Sequence, residues 1–151
     1  MSDPLFASRT ARHDLPLLFP GQAQKEIYLN ECLARLDALV HCTIEARTGS
    51  PPPAPKDGQC WLVEPGAEGA WSGHGGEVAC YQQGQWLFQA PRDGLRLFDR
   101  GSGQSLLYHG TWKKPGKPTV PDGGSIIDSQ ARATIAELLD SLAEAGVIPH
   151  Q

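Results

Sequence analysis

Apolar residues in the first third of the chain recur at the spacing of an α-helix. Counting from Leu29, they fall at i, i+3, i+4, i+7, i+10 and i+11, which places them on one face. We call this set the leucine stripe: Leu29, Cys32, Leu33, Leu36, Leu39 and Val40. Charged residues, among them Glu31, Arg35 and Asp37, occupy most of the other positions. The pattern predicts a helix over residues 23–38, with one alternative, a shorter helix that begins at Glu31 with Asn30 as its N-cap.

The residues before this helix follow a different pattern. Pro16 and Pro20 enclose the apolar run Leu17, Leu18 and Phe19, and prolines disfavour a helix and favour an extended course. Residues 1–20 are therefore predicted to form an extended N-terminal arm. Its apolar side chains need burial, either against their own domain or against a neighbouring subunit.

The middle of the chain consists of short apolar segments separated by glycines. Strand-like runs cover residues 59–64, 77–81, 85–89, 95–98 and 105–108, with Ala70 and Trp71 as a brief additional strand. Gln82, Gln83 and Gly84 mark a hairpin turn. Strands at such short spacing predict an antiparallel β-meander over residues 58–112.

A second helical pattern follows near the end of the chain. Asp128 is a suitable N-cap, and Gly146 is placed to end the helix in a left-handed conformation. We therefore predict a helix over residues 128–145. Together the patterns predict an α+β fold: the arm (1–20), then one domain over residues 21–151 with a helix, a central antiparallel meander and a C-terminal helix.

Composition narrows the classes of partner. The 151 residues carry a net charge of −4, and the lysines at 113, 114 and 117 lie among Pro and Gly in what we interpret as a solvated loop. A nucleic-acid binder usually shows a basic face, so nucleic acid is not the expected partner. No apolar run reaches the roughly 18 residues of a membrane span, and residues 1–12 lack a signal-peptide core. We expect no membrane insertion and synthesis in the cytoplasm.

The residue types that carry chemistry do not form a recognisable site. The four cysteines (Cys32, Cys42, Cys60 and Cys80) include no CxxC pair, so we expect no metal and no cofactor. In a reducing compartment we expect free thiols, and the alternative is a disulfide between Cys60 and Cys80, which both lie in strand-like runs. Ser72 and His74 lie among glycines, which favours a loop over a nucleophilic triad. His41 is interpreted as a packed histidine. We predict no catalytic residues.

The four tryptophans permit two interpretations. A small meander fills its core with large aromatic rings, which we favour for Trp61 and Trp86. Trp71 and Trp112 adjoin turns rich in glycine or lysine, so we expect exposure and burial of these rings equally. If exposed, these two rings could stack on sugar rings.

Residues 15–40 carry a resemblance to a known family. The run Gly21 to Glu26 (GQAQKE), then Asn30-Glu31 and Leu36-Asp37, is similar to the hallmark segment of an uncharacterised domain family common in alphaproteobacterial prophages and gene transfer agents. Further similarity includes Gly58-Gln59 before Trp61 and Gly84-Gln85-Trp86. The C-terminal helix is similar to a tail helix on many phage fibre and structural proteins.

The resemblance implies a non-enzymatic structural component of a phage-like particle, which forms or anchors a head spike or tail fibre used in attachment to the host surface. It implies localisation in the virion after assembly in the bacterial cytoplasm, with other capsid, spike or tail proteins as partners. We expect the chain to form a homo-oligomer, and the analogy with fibres and spikes, which are commonly trimeric, favours a trimer. The residues expected at the assembly interface are Leu17, Leu18, Phe19, Gln22, Gln24, Lys25 and Asn30. The alternative is that the start of the helix only packs on its own sheet.

Two rival functions remain open from the sequence. The first is a carbohydrate-binding module that contacts host capsular polysaccharide through exposed Trp71 and Trp112. The second is a small hydrolase, which would need a cleft with two facing carboxylates.

Overall fold

The structure, a computed structural model, describes residues 9–18, 21, 25–119 and 128–149. Within these residues the chain forms two α-helices and eight strands arranged in two sheets. The predicted α+β class, with a β region between two helices, is confirmed. The chain divides into two compact units, residues 1–91 and 92–151. The single domain expected over residues 21–151 stays a prediction.

The first unit contains the first helix and five strands. Helix α1 covers Lys25–Leu39, followed by β1 (Thr43–Ile44), β2 (Arg47–Thr48), β3 (Cys60–Val63), β4 (Val78–Gln82) and β5 (Gln85–Gln89). One sheet has the order β2-β3-β4-β5. Strands β2 and β3 pair in parallel, and the β3–β4 and β4–β5 pairs are antiparallel.

Local backbone chemistry explains two features of this sheet. The β4–β5 hairpin turns through Gln83 and Gly84, both with positive φ (47° and 79°), as a two-residue type I′ turn requires. The brief strand expected at Ala70 and Trp71 is wrong, because Gly69–Trp71 forms a 3₁₀ turn. There the backbone N–H of Trp71 donates to the carbonyl of Glu68 at 3.2 Å. This hydrogen bond is made within the segment and not to a neighbouring strand.

The second unit contains three strands and the second helix. Strands β6 (Arg96–Asp99), β7 (Gln104–His109) and β8 (Thr111–Lys113) form an antiparallel meander, and helix α2 covers Ser129–Glu144. Asp128 caps α2 as the sequence predicts, since its Oδ1 accepts from the backbone N–H groups of Gln130 and Ala131 at 3.0 and 2.9 Å. Neither helix has the length and apolar character needed to cross a membrane, among the residues described.

The C-terminal end of α2 shows why glycine stands at position 146. Gly146 has φ +67°, a conformation that favours glycine. The next residue, Val147, donates its backbone N–H to the carbonyl of Leu142 at 2.9 Å. The chain then turns so that Ile148 packs with Leu139 and Ala143 in a small apolar cluster.

Candidate functional site

Asp37, in the last turn of α1, is buried and holds the N-terminal arm against the helix. Its Oδ1 accepts a hydrogen bond from the Thr10 hydroxyl at 2.7 Å and from the His13 backbone N–H at 2.7 Å. Its Oδ2 accepts from the backbone N–H of Arg12 at 2.9 Å. Burial of a carboxylate is costly unless its oxygens are hydrogen-bonded, and bonds to a charged acceptor are the stronger kind. Asp37 therefore fixes residues 10–13 on the helix.

Arg12 makes the second connection, at the C-terminal end of α1. Its guanidinium donates to the carbonyl oxygens of Asp37 (3.1 Å), Ala38 (2.7 Å) and His41 (2.8 Å). The last carbonyls of a helix lack intrahelical partners, and a cation there complements the helix dipole. Arg12 thus supplies a cap from a distant part of the chain.

Asn30 makes the third connection, two turns earlier. Its Oδ1 accepts from the backbone N–H of Leu18 at 2.8 Å, and its Nδ2 donates to the carbonyl of Leu18 at 3.0 Å. Asn30 lies inside α1, which begins at Lys25. The alternative of a shorter helix capped by Asn30 is therefore wrong. The Asn30 side chain instead hydrogen-bonds the backbone N–H and carbonyl of Leu18 in the arm.

These three connections decide which face of α1 is buried. The buried positions are Ala34, Asp37 and Ala38, which include no member of the leucine stripe. A helix turns about 100° per residue, so Leu36 points roughly 160° away from Ala34. The helix packs on its small and polar side because the alanines allow close approach and the polar anchors find their partners there.

Most of the leucine stripe consequently faces outward. Leu29, Leu36 and Val40 are 46%, 52% and 44% exposed. Cys32 is exposed, whereas Leu33 and Leu39 are half-buried. Tyr28, which flanks the stripe, is 75% exposed. Contiguous exposed apolar patches mark interaction sites in soluble proteins, so this face is the candidate functional surface.

The residues expected at an assembly interface occupy different environments. Leu17 is buried at 3% exposure, and Leu18 is half-buried with its backbone bonded to Asn30, so the chain itself covers part of the arm. Lys25 is exposed. Phe19, Gln22 and Gln24 lie outside the described residues. The assembly interface expected from the sequence, the arm together with the start of α1, stays a prediction. The structure adds an exposed apolar face, the leucine stripe, which the sequence analysis did not anticipate.

The tryptophans of the first unit form an aromatic core. The ring centroids of Trp71 and Trp86 lie 5.0 Å apart, and Trp61 lies 5.6 Å from Trp86. Trp71 is completely buried, so it cannot offer a face to a sugar ring, and its expected role in glycan stacking is corrected. The physical reason is that the 3₁₀ turn directs this large ring into the core, where its apolar area is removed from water.

Trp112, the other ring considered for glycan stacking, lies in β8 of the second unit. It is half-buried, and its ring makes an edge contact with Tyr108, with centroids 5.2 Å apart. A stacking role for Trp112 stays a prediction.

The two histidines considered for chemistry have structural contacts. The ring of His74 stacks on Phe88 with centroids 3.6 Å apart, and its Nδ1 lies 2.9 Å from Glu77 Oε2. His41 has φ +48° just after α1, and its ring meets that of His13 edge-on at 6.2 Å. Within the described residues, no group of three His, Cys, Asp or Glu side chains is arranged to hold a metal ion.

A cleft of about 480 Å³ between the arm, α1 and the β4–β5 turn contains two carboxylates, Glu26 and Glu31. Glu26 Oε1 accepts from the backbone N–H of Gly21 at 3.1 Å, and Glu31 Oε1 accepts from the Arg35 guanidinium at 2.8 Å. Both carboxylates therefore have a hydrogen-bond partner. The hydrolase considered from the sequence, which would need two facing carboxyl groups, stays a prediction.

All four cysteines are free, as expected. Cys32 is exposed, whereas Cys42, Cys60 and Cys80 are buried, with Cys60 and Cys80 directly opposite on β3 and β4. Burial raises the pKa of Cys42 to about 11. A hydrogen bond with the Cys80 sulfur, together with burial, raises the pKa of Cys60 as well. The thiolate is the reactive form, so Cys42 and Cys60 are unreactive at neutral pH.

No curated protein matches the chain. The model of a family described as "Protein of unknown function (DUF2793)" matches residues 29–113, which is more than half of the chain. The match includes Asn30, Asp37 and most of α1, and it extends through β8. The chain therefore belongs to the DUF2793 family.

Proposed function

We propose that this protein is a non-enzymatic structural component of a phage-like particle, which forms or anchors a head spike or tail fibre used in attachment to the host. The observation that carries the proposal is the outward leucine stripe of α1. Asp37, Arg12 and Asn30 hold the opposite face of the helix in place, so the stripe is available as a preformed attachment surface.

An assembly role accounts for this arrangement in energetic terms. Apolar surface in water costs roughly 25 cal/mol per Å² relative to burial, and α1 exposes several large side chains at once. A subunit of a larger assembly recovers that free energy when it binds its neighbour. The phage-like setting is supported by the resemblance of residues 15–40 to the prophage and gene-transfer-agent segment.

The partners proposed for this surface are other virion proteins of the capsid, spike or tail, and the site of assembly is the bacterial cytoplasm. Release with the particle would then place the protein on the virion. Host surface polysaccharide is the proposed target of the assembled attachment structure.

Co-purification with particles tests this function. A tagged copy would be expressed in the bacterium that encodes it, and nuclease-resistant particles would be isolated by density gradient. We expect the protein to sediment with the capsid protein in a fixed ratio. Recovery of the protein only in the soluble fraction, with capsid protein in the particle band, would overturn the proposal.

Leu36→Asp sharpens the same experiment, because it places a charge at the centre of the stripe. Ile27→Asp is the matched control on the same helix, since Ile27 is 62% exposed and lies off the stripe. We expect the first variant to be depleted from particles and the second to be retained.

A further inference from the structure

We infer that the leucine stripe of α1 binds the same stripe of a second copy of this chain, so that α1 helices pack against one another in a symmetric contact. This inference rests on the proposed function, because it names the partner of the proposed attachment surface. It differs from the interface expected from the sequence, which centred on the arm.

The spacing of the stripe is that of a self-associating helix. Leu29, Cys32, Leu36 and Leu39 follow one another at intervals of three and four residues. This is the a and d pattern of a coiled-coil seam, in which each side chain enters a space between four residues of the facing helix. Leu33 and Val40 follow d positions and widen the seam on one side. Tyr28 precedes an a position and widens it on the other.

The remaining positions of α1 explain why the seam cannot be buried within the chain. In an isolated coiled coil, the positions opposite the seam face water. Here they are Asn30, Ala34, Asp37 and Ala38, which are turned toward the arm and the rest of the first unit. Rotation of the helix to bury its leucines would break the bonds of Asp37 and Asn30. The exposed residues of the stripe, Leu29, Leu36 and Val40, can therefore lose their contact with water only through a partner outside the chain.

The absence of charge in the stripe favours a second copy of the same surface as its partner. The six stripe residues are all uncharged. The exposed Lys25 lies on the same face at the first residue of α1, so an antiparallel contact lets two copies meet without opposing like charges. Arg35, the nearest cation along the helix, is held by Glu31 Oε1 at 2.8 Å and by the carbonyl of Phe88 at 3.0 Å. A charged partner surface would gain nothing from this face, whereas an identical apolar seam is complementary to it.

The exposed area agrees with a contact between copies. Taking on the order of 200 Å² for the full surface of a large side chain, the exposures of Tyr28, Leu29, Leu36 and Val40 correspond to roughly 400 Å² per copy. Cys32, Leu33 and Leu39 bring this toward about 500 Å². A specific interface needs about 1,000 Å² in total, which two copies then approach. We expect a modest affinity, in the micromolar range.

Light scattering after size exclusion, over about 1–100 µM of the full chain, measures this association. The monomer has a mass of 16.3 kDa. We expect the measured mass to exceed this value and to rise with protein concentration toward a whole multiple of it. Leu36→Asp should weaken association at least about tenfold, and Ile27→Asp should leave it unchanged. A wild-type chain that stays monomeric at the highest concentration would overturn the inference, as would a Leu36→Asp variant that associates normally.

Cys32 provides a second measurement that does not depend on a destabilising change. It is the exposed thiol within the stripe, so a bis-maleimide whose spacer matches the roughly 8–10 Å between packed helix axes should join two copies there. Each maleimide adds one thiol across its double bond, and no other reactant is required. We expect covalent dimers in the wild type and in Ile27→Asp, and only monomers in Cys32→Ser and Leu36→Asp. Equal crosslinking in Leu36→Asp would contradict the inference.

The two proposals fail separately. A monomer in solution that nevertheless co-purifies with particles would remove the contact between copies and leave the structural function intact. A stable oligomer absent from particles would do the reverse.

Discussion

Replacement of Asp37 by asparagine tests the connection on which the orientation of α1 depends. The carboxylate accepts three hydrogen bonds, from the Thr10 hydroxyl and from the backbone N–H groups of Arg12 and His13, at 2.7–2.9 Å. Hydrogen bonds to a charged acceptor contribute about 1.5–3 kcal/mol each, and a buried donor left without a partner adds a penalty. Asparagine keeps one acceptor oxygen and turns an amide N–H₂ toward at least one donor. We expect the free energy of unfolding to fall by about 2–4 kcal/mol.

Urea denaturation followed by tryptophan fluorescence measures this loss. Trp61, Trp71 and Trp86 all lie in the first unit, so their emission reports its unfolding. Glu64→Gln is the matched control, because Glu64 is an exposed carboxylate of the same unit, and its effect should stay within about 0.5 kcal/mol. Faster tryptic cleavage at Arg12 should accompany the loss in Asp37→Asn. A decrease below about 1 kcal/mol would refute the reasoning that Asp37 holds the arm in place.

Three further predictions follow from the buried aromatic ring and the thiols. Trp71→Ala should lower the free energy of unfolding by about 3–5 kcal/mol in the same urea assay, because Trp71 is fully buried; a loss under about 1 kcal/mol would contradict its central place in the core. Burial raises the pKa of Cys42 to about 11, so the folded state retains a proton that the unfolded state loses above pH 9. Stability should therefore fall by on the order of 2 kcal/mol between pH 9 and 11, and Cys42→Ala should show a shallower decline than the wild type; parallel curves would contradict it. Iodoacetamide at pH 8 should modify one thiol rapidly, Cys32, since the other three are buried; mass spectrometry that finds equal rates at all four would refute this.

Local signals predicted the elements that depend on neighbouring residues. Asp128 ahead of an apolar period and Gly146 after it define α2, because a side-chain cap and a left-handed glycine act within a few residues. Gln83-Gly84 defines the β4–β5 hairpin for the same reason. The helical period of the leucine stripe correctly predicted that α1 exists. The one local failure, a strand at Ala70 and Trp71, arose because Gly69 permits a positive φ (61°) that begins a tight turn.

The orientation of α1 could not be obtained in this way. Periodicity shows that Leu29 and Leu36 share a face, and the usual rule places such a face in the core. The rule fails here because Thr10, Arg12 and Leu18, which satisfy the opposite face, are far from their partners in sequence. One signal in the sequence could have indicated close packing on that side. It is the face of small residues formed by Ala34 and Ala38 beside Asp37.

The amino-acid sequence by itself therefore determined the α+β class, the two helices, the hairpin and the free thiols, since each depends on short-range spacing or on composition. Only the tertiary structure decided that Asp37 is buried, that Trp71 is inside the core and that the leucine stripe faces outward. Those three outcomes depend on hydrogen bonds and contacts between segments that meet only after the chain has folded, and local periodicity contains no information about which face such contacts will cover.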